Sequence, residues 1–309
     1  MNKKLLKFND IRVGVVGNGY VGQATSFLGR DKFHDFPLLS HSSIEGSNRN
    51  IEVWVFDKLK EKCDPEGMKF SHLNKCHIIF VCVPTPMNSD GSCATSLVED
   101  VINRLKVEAE GVPVFVRSTV PVGFCDRNGV NFMPEFLTEK NWVNDVINAK
   151  DWVIGLMDDD NLDIKEKIRN FLSLAHRTGP LNNAPIIHFA PNKVVELSKY
   201  VRNCFLATKV SFFNGIEKFC GVNDVSYEFV RELVCLDERV GESHTEVPGP
   251  DGKHGFGGTC FPKDLNSLIY QMEQSNVDPM ILSAANDQNN KVDRPERDWE
   301  DDRGRAVSF

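Results

Sequence analysis

The chain has 309 residues, enough for about two domains and a sizeable core. Apolar residues make up 41% and charged residues 26%, which excludes collagen-like, coiled-coil and disordered classes. Forty-four acidic against 36 basic residues leave a net charge of −8, and no long basic run offers a footprint for nucleic acid. No apolar run reaches the roughly 18 residues of a membrane helix. MNKKLLKFND starts basic but has no apolar segment or small-residue cleavage site of a secretory signal. Nine cysteines, an odd number with no C-x-x-C pair, fit a reducing cytoplasm better than a disulfide framework, and no metal site is expected.

Strand-length runs rich in β-branched and aromatic residues lie at 11–17, 53–56, 77–83, 113–118 and 152–157. Helical patterns fall between them at 21–28, 96–108 and 162–175. Strands alternating with helices predict an α/β fold, a Rossmann-type doubly wound parallel sheet over residues 1–190. Within it, DKFHDFPLLSHSSIEGSNRN (31–50) reads as a surface insertion before the second strand. The pattern changes after Ala190. One long helix is expected from 192 to 219, with Pro191 in its first turn and Gly221 at its end. Further helices are expected at 225–235, 264–273 and 279–286, giving an α-helical domain over 191–290 built on that one long helix. The long helix carries Leu206, Val210, Phe213 and Ile216, more apolar surface than a small helical domain covers, which predicts a homodimer. Residues 291–309 hold eleven charged groups of both signs and read as a solvated tail.

GNGYVG places Gly17, Gly19 and Gly22 in a G-x-G-x-x-G pattern between a strand and a helix. The first glycine suits a tight turn, the second a close approach of pyrophosphate to backbone, and the third close packing of helix on strand. The competing reading is a strand–helix turn with no ligand. Asp57, ending the second strand, is placed to hold ribose hydroxyls and to favour NAD over NADP, although it lies 40 residues beyond Gly17 rather than about 20. In GFGGTCFPKD, Cys260 follows a glycine-rich turn and opens a helix, where N–H groups and Lys263 would favour its thiolate; Asp264 stands one turn on. A small buried thiol is the alternative, and the other eight cysteines are assigned to that class. Lys199 and Asn203 share one helix face and would suit an oxyanion, or a solvated face. Glu135 and Glu139 of MPEFLTE are paired carboxylates that suit acid–base work, or plain surface.

The ordered set GVVGNGYVG, VCVPTPMNSDGS, RSTVPVG, MPEFLTE, ELSKYVRNCFLATKVSFFN, CLDERVG and GFGGTCFPKD resembles the nucleotide-sugar 6-dehydrogenases, most of all those acting on UDP-glucose. The resemblance spans Gly14 to about Leu268. It implies NAD as cofactor and a four-electron oxidation of a sugar C6 alcohol to the uronic acid, through a thiohemiacetal and a thioester on Cys260. It implies that Lys199 and Asn203 hold the C6 oxygen, that Asp264 and Thr119 place a water, and that Glu139 moves a proton during hydrolysis. Glu135, Phe136 and Leu137 would place the sugar, and Tyr20, Val21, Asp57, Lys62, Thr85, Thr119, Glu139 and Lys263 would contact NAD. Gly249 to Lys253 and Gly257 match the substrate loop, and Arg239 resembles an arginine that reaches a neighbouring subunit. The family also carries a second nucleotide-binding domain after its central helices. This chain stops at Phe309, so a weaker grip on the UDP group is expected.

Overall fold

The computed structural model describes residues 10–30, 50–158 and 160–309, so all of the 31–50 segment except Asn50 lies outside the described residues. Seven strands form the sheet seen among them: β1 (Ile11–Val16), β2 (Ile51–Phe56), β3 (Ile78–Val81), β4 (Val114–Val116), β5 (Asn131–Phe132), β6 (Asp151–Leu156) and β7 (Ile186–Pro191). Their order is β2-β1-β3-β4-β5-β6-β7. The first five are parallel, with Val13 opposite both Val53 and Ile78. β6 runs antiparallel to β5, and β7 is parallel to β6. The expected parallel sheet therefore holds over five strands and reverses for the last two.

Helices α1 (Tyr20–Phe27), α2 (Ser96–Glu108), α3 (Phe124–Asn128), α4 (Trp142–Asn148) and α5 (Leu162–Arg177) cover the sheet. Its centre is apolar on both faces. On β3, Ile78 and Phe80 join Val13, Phe27 and Phe171 in one cluster, while Ile79 and Val81 join Leu73, Ile102 and Val116 in the other. That double burial is why β3 reads as an unbroken apolar run. The carboxyl ends of the five parallel strands lead into Gly17, Asp57, Cys82, Arg117 and Met133 in turn. A doubly wound sheet binds its ligand at that edge.

The described chain divides into two compact units, the first ending at Glu196 and including Thr95 onward, the second made of Thr85–Ala94 and Leu197–Phe309. The expected boundary at 190/191 thus moves into the long helix α6 (Asn192–Val222), which also runs past Gly221. The first turns of α6 are built into the first unit. Asn192 Nδ2 donates to Asp126 Oδ1 (2.8 Å) and to the Val130 carbonyl (3.0 Å). Glu196, fully buried, accepts from the N–H groups of Gly123 (2.5 Å) and Cys125 (2.8 Å), one on each carboxylate oxygen, at the start of α3. Burial pushes the Glu196 carboxyl above its ordinary value, although both N–H donors pull the other way.

The second unit contains the rest of α6, α7 (Tyr227–Cys235), α8 (Phe261–Gln274) and α9 (Met280–Gln288), around Tyr200, Cys204, Ala207, Phe256, Leu265 and Leu268. Residues 291–309 are not the solvated tail that their charge suggests. A π-helical turn (Asn289–Asp293) and a 3-10 turn (Asp298–Asp301) fold there, and Arg294, Trp299 and Ala306 are buried. Met87 N–H donates to the Ala306 carbonyl, and Ser308 N–H donates to the Met87 carbonyl. Arg294 of this segment pairs with Asp251 and Asp298. The apolar surface of α6 also differs from expectation. Phe213 is buried and Leu206, Val210 and Ile216 are half-buried, whereas Val201, Phe205, Phe212 and Phe219 are exposed. No helix among the described residues is long and apolar enough to cross a membrane.

Glu196→Gln replaces two acceptor oxygens by one, leaving an N–H of Gly123 or Cys125 against an amide N–H. An unmatched buried donor of this kind costs about 1–3 kcal/mol. The urea midpoint should fall by the corresponding amount at unchanged m-value. An unchanged midpoint would show that the carboxylate does not secure α3.

Candidate functional site

The three glycines after β1 are required for three different reasons. Gly17 has φ +94°, and a Cβ there would lie 2.9 Å from the Cys82 carbonyl oxygen. A Cβ on Gly22 would come within 2.0 Å of the Gly17 carbonyl oxygen. A Cβ on Gly19 would meet nothing within 4 Å, so the backbone faces open space just where α1 begins. Gly19 is the helix N-cap and supplies no side-chain acceptor. The first-turn N–H groups, next to half-buried Tyr20 and Val21, form the kind of helix terminus that receives phosphate.

Asp57 stands beside this turn despite its sequence distance, because β1 and β2 pair in register through Val16 and Phe56. Its Oδ2 accepts from Asn18 N–H (2.8 Å) and its Oδ1 from Leu59 N–H (3.0 Å). Asn18 Nδ2 donates to the carbonyl of exposed Lys62 (2.8 Å). Nothing in the glycine pattern marks Asn18 as the residue that joins the turn to the acid. An open glycine, a helix start and an anchored acid fit the pyrophosphate and ribose of a dinucleotide.

Two further loops lie at the same edge of the sheet. After β4, Ser118 Oγ donates to the Val83 carbonyl (2.5 Å), and Thr119 is buried next to it in sequence. Arg117 is buried with Nε and Nη1 unpartnered; burial pulls its pKa down, against the charges of Cys82 and Glu135. After β5, Glu135 is buried and accepts from Leu137 N–H (2.7 Å), Phe136 and Leu137 are half-buried, and Glu139 is exposed. Thr138 bonds Asp145 of α4 through both its N–H (2.7 Å) and its hydroxyl (2.6 Å), which fixes this loop.

In the second unit, Cys260 occupies the N-cap position of α8, with Thr259 Oγ1 3.9 Å from its sulfur. Lys263 Nζ lies 2.5 Å from Asp264 Oδ1, and Asn203 Nδ2 donates to Asp264 Oδ2 (2.6 Å). Asp264 is fully buried, and Lys199 and Lys263 are nearly so. Burial pulls the Lys263 ammonium down, but the charges of Asp264, Cys93 and Cys260 outweigh it and hold its pKa above the usual lysine value. Lys263 is therefore a fixed cation within the electrostatic reach of Cys260. Tyr200, which the sequence did not single out, shares a hydrogen bond with Ser267 (3.1 Å) under this cluster. Burial pushes the thiols of Cys82 and Cys76 up to about 11 and about 12, and those of Cys93, Cys125 and Cys204 up as well. Those five behave as buried apolar groups.

Three more of the expected residues, Thr85, Arg239 and Gly257, lie in the second unit. Thr85 belongs to the second unit and is buried, its carbonyl accepting from Cys93 Sγ. Arg239 is exposed and paired with Asp237 (2.6 Å). Gly257 lies beneath the guanidinium of Arg294, a residue no sequence signal had brought to the site.

Gly19→Ala should fold with an unchanged melting temperature and bind NADH at least about tenfold more weakly, since a methyl group enters the space left for phosphate. Gly22→Ala should instead lower the melting temperature. Equal NADH affinity for Gly19→Ala and wild type, by fluorescence titration, would remove the phosphate from this turn.

The NAD binding domain of the UDP-glucose/GDP-mannose dehydrogenase family matches residues 11–172, and that family's central domain matches residues 193–291. The UDP-glucose 6-dehydrogenase of Rickettsia felis is 28% identical over 303 residues, which cover 89% of this chain and 63% of the relative. That of Pseudomonas aeruginosa is 28% identical over 308 residues, covering 90% and 65%. The chain thus spans less than two thirds of the length of these curated relatives. The structure of a UDP-glucose dehydrogenase from Pyrobaculum islandicum superposes with a TM-score of 0.71 at 25% identity, covering 92% of this chain and 69% of that one. With its first unit matched by the NAD binding domain over more than half of the sequence, the chain belongs to the UDP-glucose/GDP-mannose dehydrogenase family.

Proposed function

We propose that the chain oxidises the C6 alcohol of a nucleotide sugar, UDP-glucose foremost, to the carboxylate, with Cys260 as covalent nucleophile. The observation that carries this reading is the buried set in which Lys263 and Asn203 both engage Asp264, one turn from Cys260 at the start of α8. Bound NAD would take up the hydride in each of the two oxidations.

The N–H groups of the first turn of α8 and the Lys263 ammonium favour the Cys260 thiolate. Its sulfur adds to the carbon of the intermediate aldehyde while the aldehyde oxygen gains a proton, giving a thiohemiacetal. Loss of a hydride and of the hydroxyl proton leaves a thioester. Water then adds to the acyl carbon, the C–S bond breaks, and the thiolate departs with the carboxylate formed. Thiolate is a good leaving group because the thiol pKa is about 8.5, far below that of an alcohol. Lys199 and Asn203 lie four residues apart on one face of α6 and are assigned to the C6 oxygen, whose negative charge a buried ammonium and amide would stabilise. The family resemblance assigns Thr119 and Asp264 to placing water, Glu139 to proton transfer in hydrolysis, and Glu135, Phe136 and Leu137 to placing the sugar.

Cys260→Ser should bind NADH as wild type does and lose steady-state turnover by at least about a hundredfold, because an alkoxide neither forms nor leaves readily near pH 7. Wild type should release two NADH per uronic acid, and mass spectrometry of quenched enzyme should find the sugar nucleotide on Cys260 alone. Full turnover by Cys260→Ser would make Cys260 structural. A wild type that binds NADH yet oxidises none of a panel of UDP- and GDP-sugars would replace this reading by a non-catalytic NAD-binding protein.

The same reading includes a homodimer through α6. Val201, Phe205, Phe212 and Phe219 follow one another at steps of four, seven and seven, with Thr208 and Gly215 between them on the same stripe. Phe229, Leu233 and Leu236 are likewise exposed along and just beyond α7. A seam with that spacing suits a second copy. Phe212→Glu, at a position 61% exposed, should leave the melting temperature in place and give a monomer in sedimentation. A monomeric wild type at working concentrations would exclude the seam.

A further inference from the structure

The loop over residues 249–258 leads into Gly258, Thr259 and Cys260, and the segment following α9 holds it. Asn289, fully buried, accepts from Phe256 N–H through Oδ1 (2.8 Å) and donates through Nδ2 to the Phe256 carbonyl (3.0 Å). Asn214 of α6 accepts from Gly255 N–H (2.9 Å). Arg294 uses three separate donors: Nη1 to Asp251 Oδ2, Nε to Asp298 Oδ1 and Nη2 to Asp298 Oδ2, each at 2.7 Å. Its guanidinium covers Gly257 so closely that a Cβ there would lie 2.5 Å from Arg294 Cζ. Lys253 on the loop bonds Asp298 (2.7 Å) and lies 3.4 Å from Glu296. Asp293 ties the segment back to α6 through Lys218 (2.6 Å).

Two cations, Arg294 and Lys253, thus face three carboxylates, Asp251, Glu296 and Asp298. The cluster has no positive excess with which to attract an anion. Arg294 is 3% exposed and spends its donors inside the protein, so the arrangement suits holding a backbone rather than binding a ligand. The loop is pinned from Gly255 to Gly257 and released at Gly258, where φ is +73° and an added Cβ would meet nothing. That is the last turn of backbone before Cys260.

We propose that Arg294 is a positioning residue for Cys260: with Asn289 it clamps the 249–258 loop, and through Gly257 it fixes the path of the backbone into the first turn of α8. Its bearing on turnover rests on the nucleophile reading of Cys260; the clamp itself does not. The planar fork of arginine is essential here, because two parallel bonds to Asp298 and a third to Asp251 demand donors in a fixed plane. A lysine ammonium keeps the charge and cannot reproduce that geometry.

The test compares full-length wild type with Arg294→Ala, Arg294→Lys and Asp251→Asn. It measures deuterium uptake of the peptide spanning 249–260, the rate of Cys260 alkylation by iodoacetamide, and NADH affinity. Arg294→Ala should speed exchange of that peptide about tenfold and change the alkylation rate of Cys260 about fivefold or more, as expected on loss of buried charge-assisted hydrogen bonds. NADH affinity should stay within about twofold, since the first unit is untouched. Arg294→Lys should behave like Arg294→Ala, and turnover should fall through kcat while KM for NAD holds. Should Arg294→Ala fail to fold, Asp251→Asn, which weakens one of the three bonds from a partly exposed residue, must shift exchange and alkylation in the same sense. Wild-type exchange and alkylation in Arg294→Lys, or in folded Arg294→Ala, would overturn the proposal, as would an unchanged Asp251→Asn. A wild type inactive on every sugar nucleotide would remove the proposed activity alone, because exchange and alkylation read the clamp without substrate.

Discussion

The buried carboxylate of Glu196 anchors the first turn of α6 within the sheet-bearing unit. It receives two backbone N–H groups at the start of α3, one on each carboxylate oxygen. Farther along the same helix, in the second unit, Lys199 and Asn203 fall on one face, four residues apart. Tyr200, Cys204 and Ala207 fall on a neighbouring face and become the core of the second unit. Burying the ion disfavours its charged form, as its raised pKa records, and two N–H donors offset part of that penalty. A neutral hydrogen-bonding side chain would carry a smaller burial penalty, but only a carboxylate presents two acceptors in this geometry.

Beyond Glu196, the chemistry of the second unit depends on a similar compromise. A lysine and an aspartate adjacent in sequence, both buried, are poor contributors to stability, since desolvation offsets most of their attraction. What the pair provides is fixed charge. Asn203 satisfies the second oxygen of Asp264, and the cluster holds Lys263 protonated within the field of Cys260. At Cys76, Cys125 and Cys204 burial outweighs the nearby cations, Arg12, Arg127 and Lys263, and drives the thiol pKa values up. Cys260 combines the N-cap position of α8 with partial exposure and with Lys263 three residues on.

Much of this was legible in the sequence wherever a local physical rule carried the information. The long apolar strands, the glycine turn and helix α2 follow periodicity and turn chemistry closely. β5, with two residues, presents no apolar run to detect; β7 carries one, broken by His188 and half-exposed along its length, which the sequence reading did not single out; and the reversal of β6 arises from pairing between distant segments. Asp57 was legible as an acid ending a strand, but its place beside Asn18 depends on sheet register. Lys199 and Asn203 were legible as residues sharing a helix face, yet their spacing alone favoured a solvated face. Burial decides that question, and burial is a property of the packed unit. The α6 seam shows the same limit: periodicity found an apolar helix but selected the inward residues, because a helix apolar on two sides does not announce which side is covered.

The segment after α9 is where composition misled most, and the reason is general. Eleven charges in nineteen residues signal solvation only if each charge must find water. Here Arg294 finds Asp251 and Asp298, Lys253 finds Asp298, and Trp299 and Ala306 are buried. Opposite charges four residues apart, as in Arg294 and Asp298, are neighbours once a turn forms, so a mixed-sign segment contains its own counterions. A run of one sign could not do this. The sign pattern, rather than the number of charges, distinguishes a segment that must stay in water from one that can close over a backbone loop. Here the loop it closes over is the one that ends at Cys260.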